Sequence, residues 1–175
     1  MRLQLGIATV RPWAVEDLAS LVRHADDRAI WQQLRDRFPS PYTEGSGRAF
    51  LESVTAQPTP MVWAIEVEGR AVGGIGLEPQ TDVERVSAEI GYWLGRAYWN
   101  RGIVTAVVRS VTAHAFVAFD LSRIFALPFA DNQASQRVLE KAGYLVEGRL
   151  RQSAIKDGCI KDQILYAAYR AGAGR

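Results

Sequence analysis

Apolar positions along this chain follow two periods, and the switches between them lay out the elements. Leu3, Leu5 and Ile7 alternate and, with Val10, predict a first strand ending at Arg11-Pro12. Leu18, Leu21, Val22 and Ala25 take the three-and-four spacing of a helix, and Ile30, Trp31 and Leu34 continue it in a second, short one. Arg35 to Tyr42 breaks the pattern with two prolines, in a loop that carries Phe38 and Tyr42. Ser46 is the expected N-cap of a helix bearing Ala49, Phe50 and Val54, which stops before Pro58. Met61 to Val67 and Arg70 to Leu77 flank a Glu68-Gly69 turn and read as a hairpin. Gly73, Gly74 and Gly76 weaken its second strand unless another part of the chain needs a close approach there. A polar loop from Pro79 to Arg85 leads into the alternation of Val86, Ala88, Ile90 and Tyr92.

The helical period returns with Val104, Val107, Val108, Val111, Ala115 and Phe119, giving a long helix that ends near Asp120. A short buried strand, Arg123 to Leu127, is cut off by Pro128. Asn132 is the expected N-cap of a helix with Val138, Leu139 and Ala142, and Gly143 stands where its C-terminal cap belongs. Strands from Tyr144 to Ile155 and Cys159 to Tyr169 follow, joined through Asp157-Gly158, and residues 171–175 are expected to fray. This order predicts an α/β or α+β fold, a mixed sheet with helices on both faces, as a single domain over 1–170.

Composition narrows the function. With 175 residues, 48% hydrophobic and 23% charged, the chain is an ordinary globular domain with a sizeable core. A formal net charge of +2 is too small to argue for a nucleic-acid partner. The single Cys159 rules out an internal disulfide framework and fits a reducing compartment. Beside only His24 and His114, both in helical patterns, it makes neither a nucleophile–base pair nor a zinc site. The first six residues lack the apolar core of a signal peptide, and no apolar run approaches bilayer length. The expectation is a cytoplasmic protein with no membrane partner and no metal.

The chemistry concentrates in Glu89 to Ala106, where a β-like segment passes through a turn rich in Gly and Arg into the long helix. A helix starting at a glycine leaves its first N–H groups without intrahelical acceptors, and its dipole adds partial positive charge there. Such an end suits phosphate oxygens, with Arg96 and Arg101 as full charges beside it. The alternative is a plain strand-to-helix turn in which Gly102 only satisfies backbone geometry. Neither a P-loop nor a dinucleotide fingerprint is present.

Tyr98-Trp99-Asn100-Arg101-Gly102-Ile103-Val104-Thr105-Ala106 resembles the acetyl-CoA pyrophosphate turn of the GNAT acetyltransferase superfamily. The resemblance continues in family order through Val10-Arg11-Pro12-Trp13, Asp17-Leu18, Leu34 to Thr43, Val72 to Leu77, Ile90 to Leu94, Asn132 to Ser135, and Lys141 to Arg151. Together these pieces cover most of the chain and are similar to the branch containing the ribosomal-protein alanine N-acetyltransferases. The superfamily signature is Gln/Arg-x-x-Gly-x-Gly/Ala, and here Trp99 fills its first place and Val104 its last.

What the resemblance implies is specific. The fold would be a mostly antiparallel GNAT sheet with splayed fourth and fifth strands, here Ser87 to Leu94 and Arg123 to Leu127. Acetyl-CoA would be the co-substrate, held by Tyr92, Trp93, Leu94, Arg96, Asn100, Arg101, Gly102, Ile103, Val104 and Thr105, with Asn132 and Ser135 near the pantetheine. The partner would be an amine or peptide acceptor, with the loop of Phe38 and Tyr42 as one wall of its site by its place in the family. Trp31 or Trp93 are candidate further contacts, the alternative for all four being anchoring of the loop and filling of the core, and a homodimer is a further expected partner. Acetyl transfer to an amine needs a base, for which Glu89 is the candidate carboxylate, and a proton for the departing sulfur, for which Ser135 stands where relatives place a serine. The alternatives are a solvated or ion-paired Glu89 and a Ser135 that serves only the helix end. A rival function is a CoA-binding sensor or scaffold without chemistry, and a further one is a nucleotide-phosphate enzyme.

Overall fold

The computed structural model describes residues 1–59 and 61–172; residues 173–175, the end of the tail expected to fray, lie outside the described residues. Eight strands order as β1-β2-β3-β4-β5-β6-β8-β7. They are β1 (Leu3–Gln4), β2 (Thr9–Pro12), β3 (Val62–Val67), β4 (Arg70–Pro79), β5 (Ser87–Leu94), β6 (Arg123–Ala126), β7 (Leu145–Lys156) and β8 (Cys159–Tyr169). The helices are α1 (Leu18–Ala25), α2 (Arg28–Trp31), α3 (Glu44–Thr55), α4 (Ile103–Ala118) and α5 (Gln133–Ala142). Among the described residues no helix is long and apolar enough to cross a membrane.

The chain divides into two compact units, the first Met1–Gly76 with Tyr92–Val107, the second Leu77–Gly91 with Val108 onward. In the first, β1, β2, β3 and β4 form an antiparallel run. The single strand expected from Leu3 to Pro12 is two. Gly6 turns the chain with φ 77°, and the Leu5 N–H donates to the Ala8 carbonyl at 2.9 Å, folding β1 back on β2. Arg11 on β2 grips the carboxylate of Asp17, with 2.7 Å bonds from both terminal nitrogens, and its Nε donates to Glu66 on β3. Asp17 also accepts the Ala14 N–H at 2.9 Å, so the Arg-Pro-Trp…Asp motif fixes the entry to α1. Thr43, not Ser46, caps α3: the Thr43 side chain accepts the Ser46 N–H at 3.2 Å, which places Ser46 inside the first turn.

The core of this unit gathers Trp13, Leu21, Ala25, Tyr42, Leu51, Val54, Ala64 and Ala71. The β4 glycines are explained by crowding. A Cβ on Gly73 would sit 2.5 Å from the Trp93 carbonyl oxygen, and one on Gly74 would meet the Trp93 indole nitrogen at 2.8 Å. Side chains here would push the end of β5 off the sheet.

In the second unit β5 runs parallel to β6 over three pairs only, Ser87↔Arg123 to Glu89↔Phe125. β6 ends at Ala126, while β5 continues to Leu94. β8 pairs antiparallel with both β6 and β7. Buried Val108, Val111, Ala115, Ile124, Leu139 and Tyr144 form the apolar interior, in which the Thr112 and Tyr144 hydroxyls share a 2.6 Å hydrogen bond.

Candidate functional site

The first unit builds the strand–turn–helix stretch. At the end of β5 the Gly95 N–H donates to the Val72 carbonyl at 2.7 Å, which turns the chain into a short 3₁₀ segment, Arg96–Tyr98. Asn100 at φ 59° and Gly102 at φ 74° then reverse it into α4. Asn tolerates the left-handed region better than most residues, and glycine enters it without penalty. The Gly102 carbonyl accepts the Ala106 N–H at 3.1 Å, so the helical ladder begins at residue 102. By helix geometry the amides of Gly102, Ile103, Val104 and Thr105 have no acceptor within the helix. Gly102 offers no side chain to cap them, the first turn carries no acidic residue, and nothing lies within 4 Å of where a Gly102 Cβ would stand.

That arrangement fits a pyrophosphate. N–H donors without an acceptor inside the helix, the positive end of a long helix and open space on the glycine side are the elements of an anion cradle. Arg101 is exposed and holds its guanidinium carbon 5.5 Å from the centre of the Tyr98 ring, next to this end. Trp99, where the superfamily carries Gln or Arg, is 41% exposed and donates its indole N–H to the Leu94 carbonyl at 2.7 Å. The substitution therefore ties the turn back to the last residue of β5, and the Leu94 carbonyl is engaged within the chain. Val104 is half-buried in the first turn of α4.

Arg96 faces elsewhere. Its Nε and Nη2 donate to the two carboxylate oxygens of Asp27 at 2.8 and 2.6 Å, and this guanidinium holds the Asp27 carboxyl below the usual carboxylate range. Asp27 is also the N-cap of α2, accepting the Ala29 N–H at 2.8 Å. Neither Asp27 nor its neighbour Asp26 was singled out from sequence. The available signal was an Asp followed by the apolar pair Ile30-Trp31, a helix-start pattern.

Three of the four residues expected to face the acceptor come together. Phe38 lies 4.9 Å from Tyr42 and 5.7 Å from Trp93, ring centre to ring centre. Tyr42 is buried, which pushes its hydroxyl up to about 12, and its N–H donates to Asp26 at 2.9 Å. Trp31, on α2, is half-buried under the Arg28 guanidinium at 5.4 Å.

The second unit carries the two expected catalytic residues. Glu89 is half-buried on β5, at the last pair of the parallel ladder, opposite Phe125. Ser135 lies in the first turn of α5 and is half-buried, and its N–H donates to the Asn132 side-chain oxygen at 3.0 Å. The Asn132 side chain thus caps this helix end.

A family model described as an acetyltransferase (GNAT) domain matches residues 8–145. The chain belongs to the GNAT acetyltransferase family. Among curated proteins it is 37% identical over 107 residues to the uncharacterised N-acetyltransferase YoaA of Bacillus subtilis (strain 168), covering 60% of each chain. It is 31% identical over 81 residues to the ribosomal-protein-serine acetyltransferase of Escherichia coli (strain K12), covering 46% of this chain and 45% of that one. The chain thus spans 60% of the first relative's length and less than half of the second's. Among solved structures, Mycobacterium smegmatis RimJ in complex with CoA-disulfide superposes with a TM-score of 0.81 at 27% identity, over 97% of this chain and 86% of that one. The ribosomal-protein-S5-alanine acetyltransferase from Vibrio fischeri shares the fold with a TM-score of 0.84 at 18% identity, over 100% of both chains.

Proposed function

We propose that this protein is an acetyl-CoA-dependent N-acetyltransferase that acetylates a primary amine by direct transfer. The observation that carries the reading is the N-terminus of α4, where Gly102 at φ 74° and the amides of 102–105 form an anion cradle open on the glycine side. Membership of the GNAT family and the CoA bound to RimJ at 27% identity support acetyl-CoA as the ligand. The ribosomal-protein relatives favour a protein N-terminal amine over a small amine as acceptor.

Acetyl-CoA bound there supplies a thioester, whose acetyl group passes to the amine nitrogen as the sulfur leaves. The backbone amides of 102–105 and Arg101 would hold the phosphates, and the β5 segment ending at Leu94 would align the pantetheine amides in the manner of an added strand. Glu89 is our candidate to take the amine proton, directly or through water, since an alkylammonium cannot attack. The Ser135 hydroxyl is our candidate to donate a proton at the sulfur, with its place fixed by the Asn132 cap. Phe38, Tyr42 and Trp93 would form the apolar wall of the acceptor site.

The test combines calorimetry with CoA and thiol release from acetyl-CoA in the presence of N-terminal peptides and small amines. Binding with amine-dependent thiol release is expected, and Ser135→Ala should lower turnover about tenfold or more while CoA affinity holds within about twofold. Heat without thiol release would instead mark a CoA-binding sensor. No heat at millimolar CoA, or ATP competing with CoA, would overturn the reading.

A further inference from the structure

The first unit contains a closed ring of contacts that joins the segment after β5 to the proposed acceptor wall. It starts at Arg96, two residues beyond the end of β5 and five before Arg101 of the turn. Arg96 grips Asp27 with both ends of its guanidinium fork, across 69 residues of sequence. Asp27 caps α2 through the Ala29 N–H, so the ion pair holds the helix that bears Trp31. Asp26, its neighbour, accepts the Tyr42 N–H at 2.9 Å and so holds the end of the loop over residues 35–42. That loop places Phe38 against Trp93, which lies on β5 three residues before Arg96 and closes the ring. The Asp26-Asp27 pair touches both sides of the ring, one carboxylate each.

We infer that the Asp26-Asp27 pair is a positioning element that couples the phosphate-binding turn to the aromatic wall of the acceptor site, so that filling the turn orders α2 and the 35–42 loop. The inference rests on the CoA reading above. An isolated exposed ion pair contributes little to stability, and Arg96 is itself exposed. Here the bidentate geometry matters for direction rather than strength: it transmits a change in the turn to a helix and loop distant in sequence.

The experiment needs no acceptor. Amide hydrogen exchange of the full chain is followed with and without CoA, in the wild type, in Asp27→Asn and in Arg96→Gln. Asn is as good an N-cap as Asp, so Asp27→Asn can keep α2 capped through its remaining oxygen while removing the charge and the second acceptor that Arg96 holds. CoA should slow exchange in residues 26–31 and 35–42 of the wild type by about fivefold or more, and this protection should vanish in either variant. CoA affinity by calorimetry should stay within about threefold in Asp27→Asn. The double variant should behave like either single one, as for two ends of one contact. Equal protection in wild type and Asp27→Asn would overturn the coupling. So would CoA binding without protection of α2 in the wild type. Loss of CoA affinity in Arg96→Gln alone would make Arg96 a phosphate ligand and end the positioning role. Absence of any CoA binding would remove the cofactor reading itself, and the coupling with it.

Discussion

The N-termini of α4 and α5 face the same physical problem and meet it in opposite ways. Both helices leave amides without intrahelical acceptors, and each follows a turn. At α5 the chain supplies its own answer: the Asn132 side-chain oxygen takes the Ser135 N–H at 3.0 Å. At α4 the preceding residue is Gly102, in the left-handed region, with no side chain and no acidic residue in the first turn. Ser, Thr, Asp or Asn there would satisfy an amide within the chain, worth roughly a few tenths of a kcal/mol over glycine. A helix that starts at a glycine with open space beside it leaves room for a partner from outside the chain, which the proposed function takes to be a pyrophosphate. α4 is held instead by what precedes it: Trp99 on the Leu94 carbonyl, Arg96 on Asp27, and Tyr98 edge-on to His24.

The contrast is broken most severely at Gly102. Gly102→Glu puts a carboxylate where the reading puts phosphate and forces a non-glycine residue to φ 74°. Calorimetry should show CoA affinity falling by about a hundredfold or more, roughly 3 kcal/mol, as expected for a like charge and added bulk set against the phosphates. Gly102→Ala separates the two causes, because it carries the backbone strain without the charge, and it should retain more affinity than Gly102→Glu. If Gly102→Glu binds CoA as the wild type does, the α4 terminus has no anion role and differs from α5 only in backbone geometry.

The same comparison applied to α5 gives a stability effect. Asn132→Ala removes the cap, leaves the Ser135 amide without its acceptor, and should cost about 1 kcal/mol. For a chain of this length that is a fall of about 2–4 °C in melting temperature. Asn132→Asp retains the cap oxygen and should melt with the wild type. An unchanged melt for Asn132→Ala would mean that α5 is no better capped than α4, and the contrast would collapse from the other side.

How far each helix end could be read in advance follows from where its partners lie. The Asn132 cap is local, three residues from the amide it satisfies, and Asn followed by an apolar three-and-four pattern announces it. Gly102 before the Val104–Phe119 pattern announces the bare end of α4 in the same way. The partners that hold that bare end are not local. Asp27 lies 69 residues from Arg96, and no periodicity links them, so the sequence offers Arg96 as a second phosphate charge while the structure gives it to α2. Trp99 reads as a departure from a signature, and only the 2.7 Å bond to the Leu94 carbonyl supplies its role. The β4 glycines were legible as a demand for close approach, though not that the Trp93 backbone and indole make it. Alternation fails for Glu89 because Ser87, Ala88 and Ile90 are all buried, so period two separates no solvent face on this part of β5.

The smallest expected effect tests the claim that α4 is held from outside. His24 lies under the turn: a Cβ on Gly95 would stand 2.9 Å from the His24 Nδ1, and the Tyr98 ring meets the imidazole edge-on at 5.5 Å. Burial first, then the charges of Arg23 and Arg70, holds its pKa below the ordinary histidine value. A base whose folded pKa is depressed binds its proton more readily when unfolded, so its contribution to stability is complete above the ordinary value of about 6.5. The contribution is lost as pH falls through that value toward the lower folded one. Thermal melts from pH 7.5 to 5.5 should therefore drop by about a degree or two more in the wild type than in His24→Gln, in which no proton can bind. Carboxylates titrating in the same range affect both proteins alike and cancel in the difference. Parallel pH slopes would show that the contact beneath Gly95 and Tyr98 tolerates a charged imidazole, leaving the Asp27 ion pair and the Trp99 hydrogen bond as the groups that hold the turn.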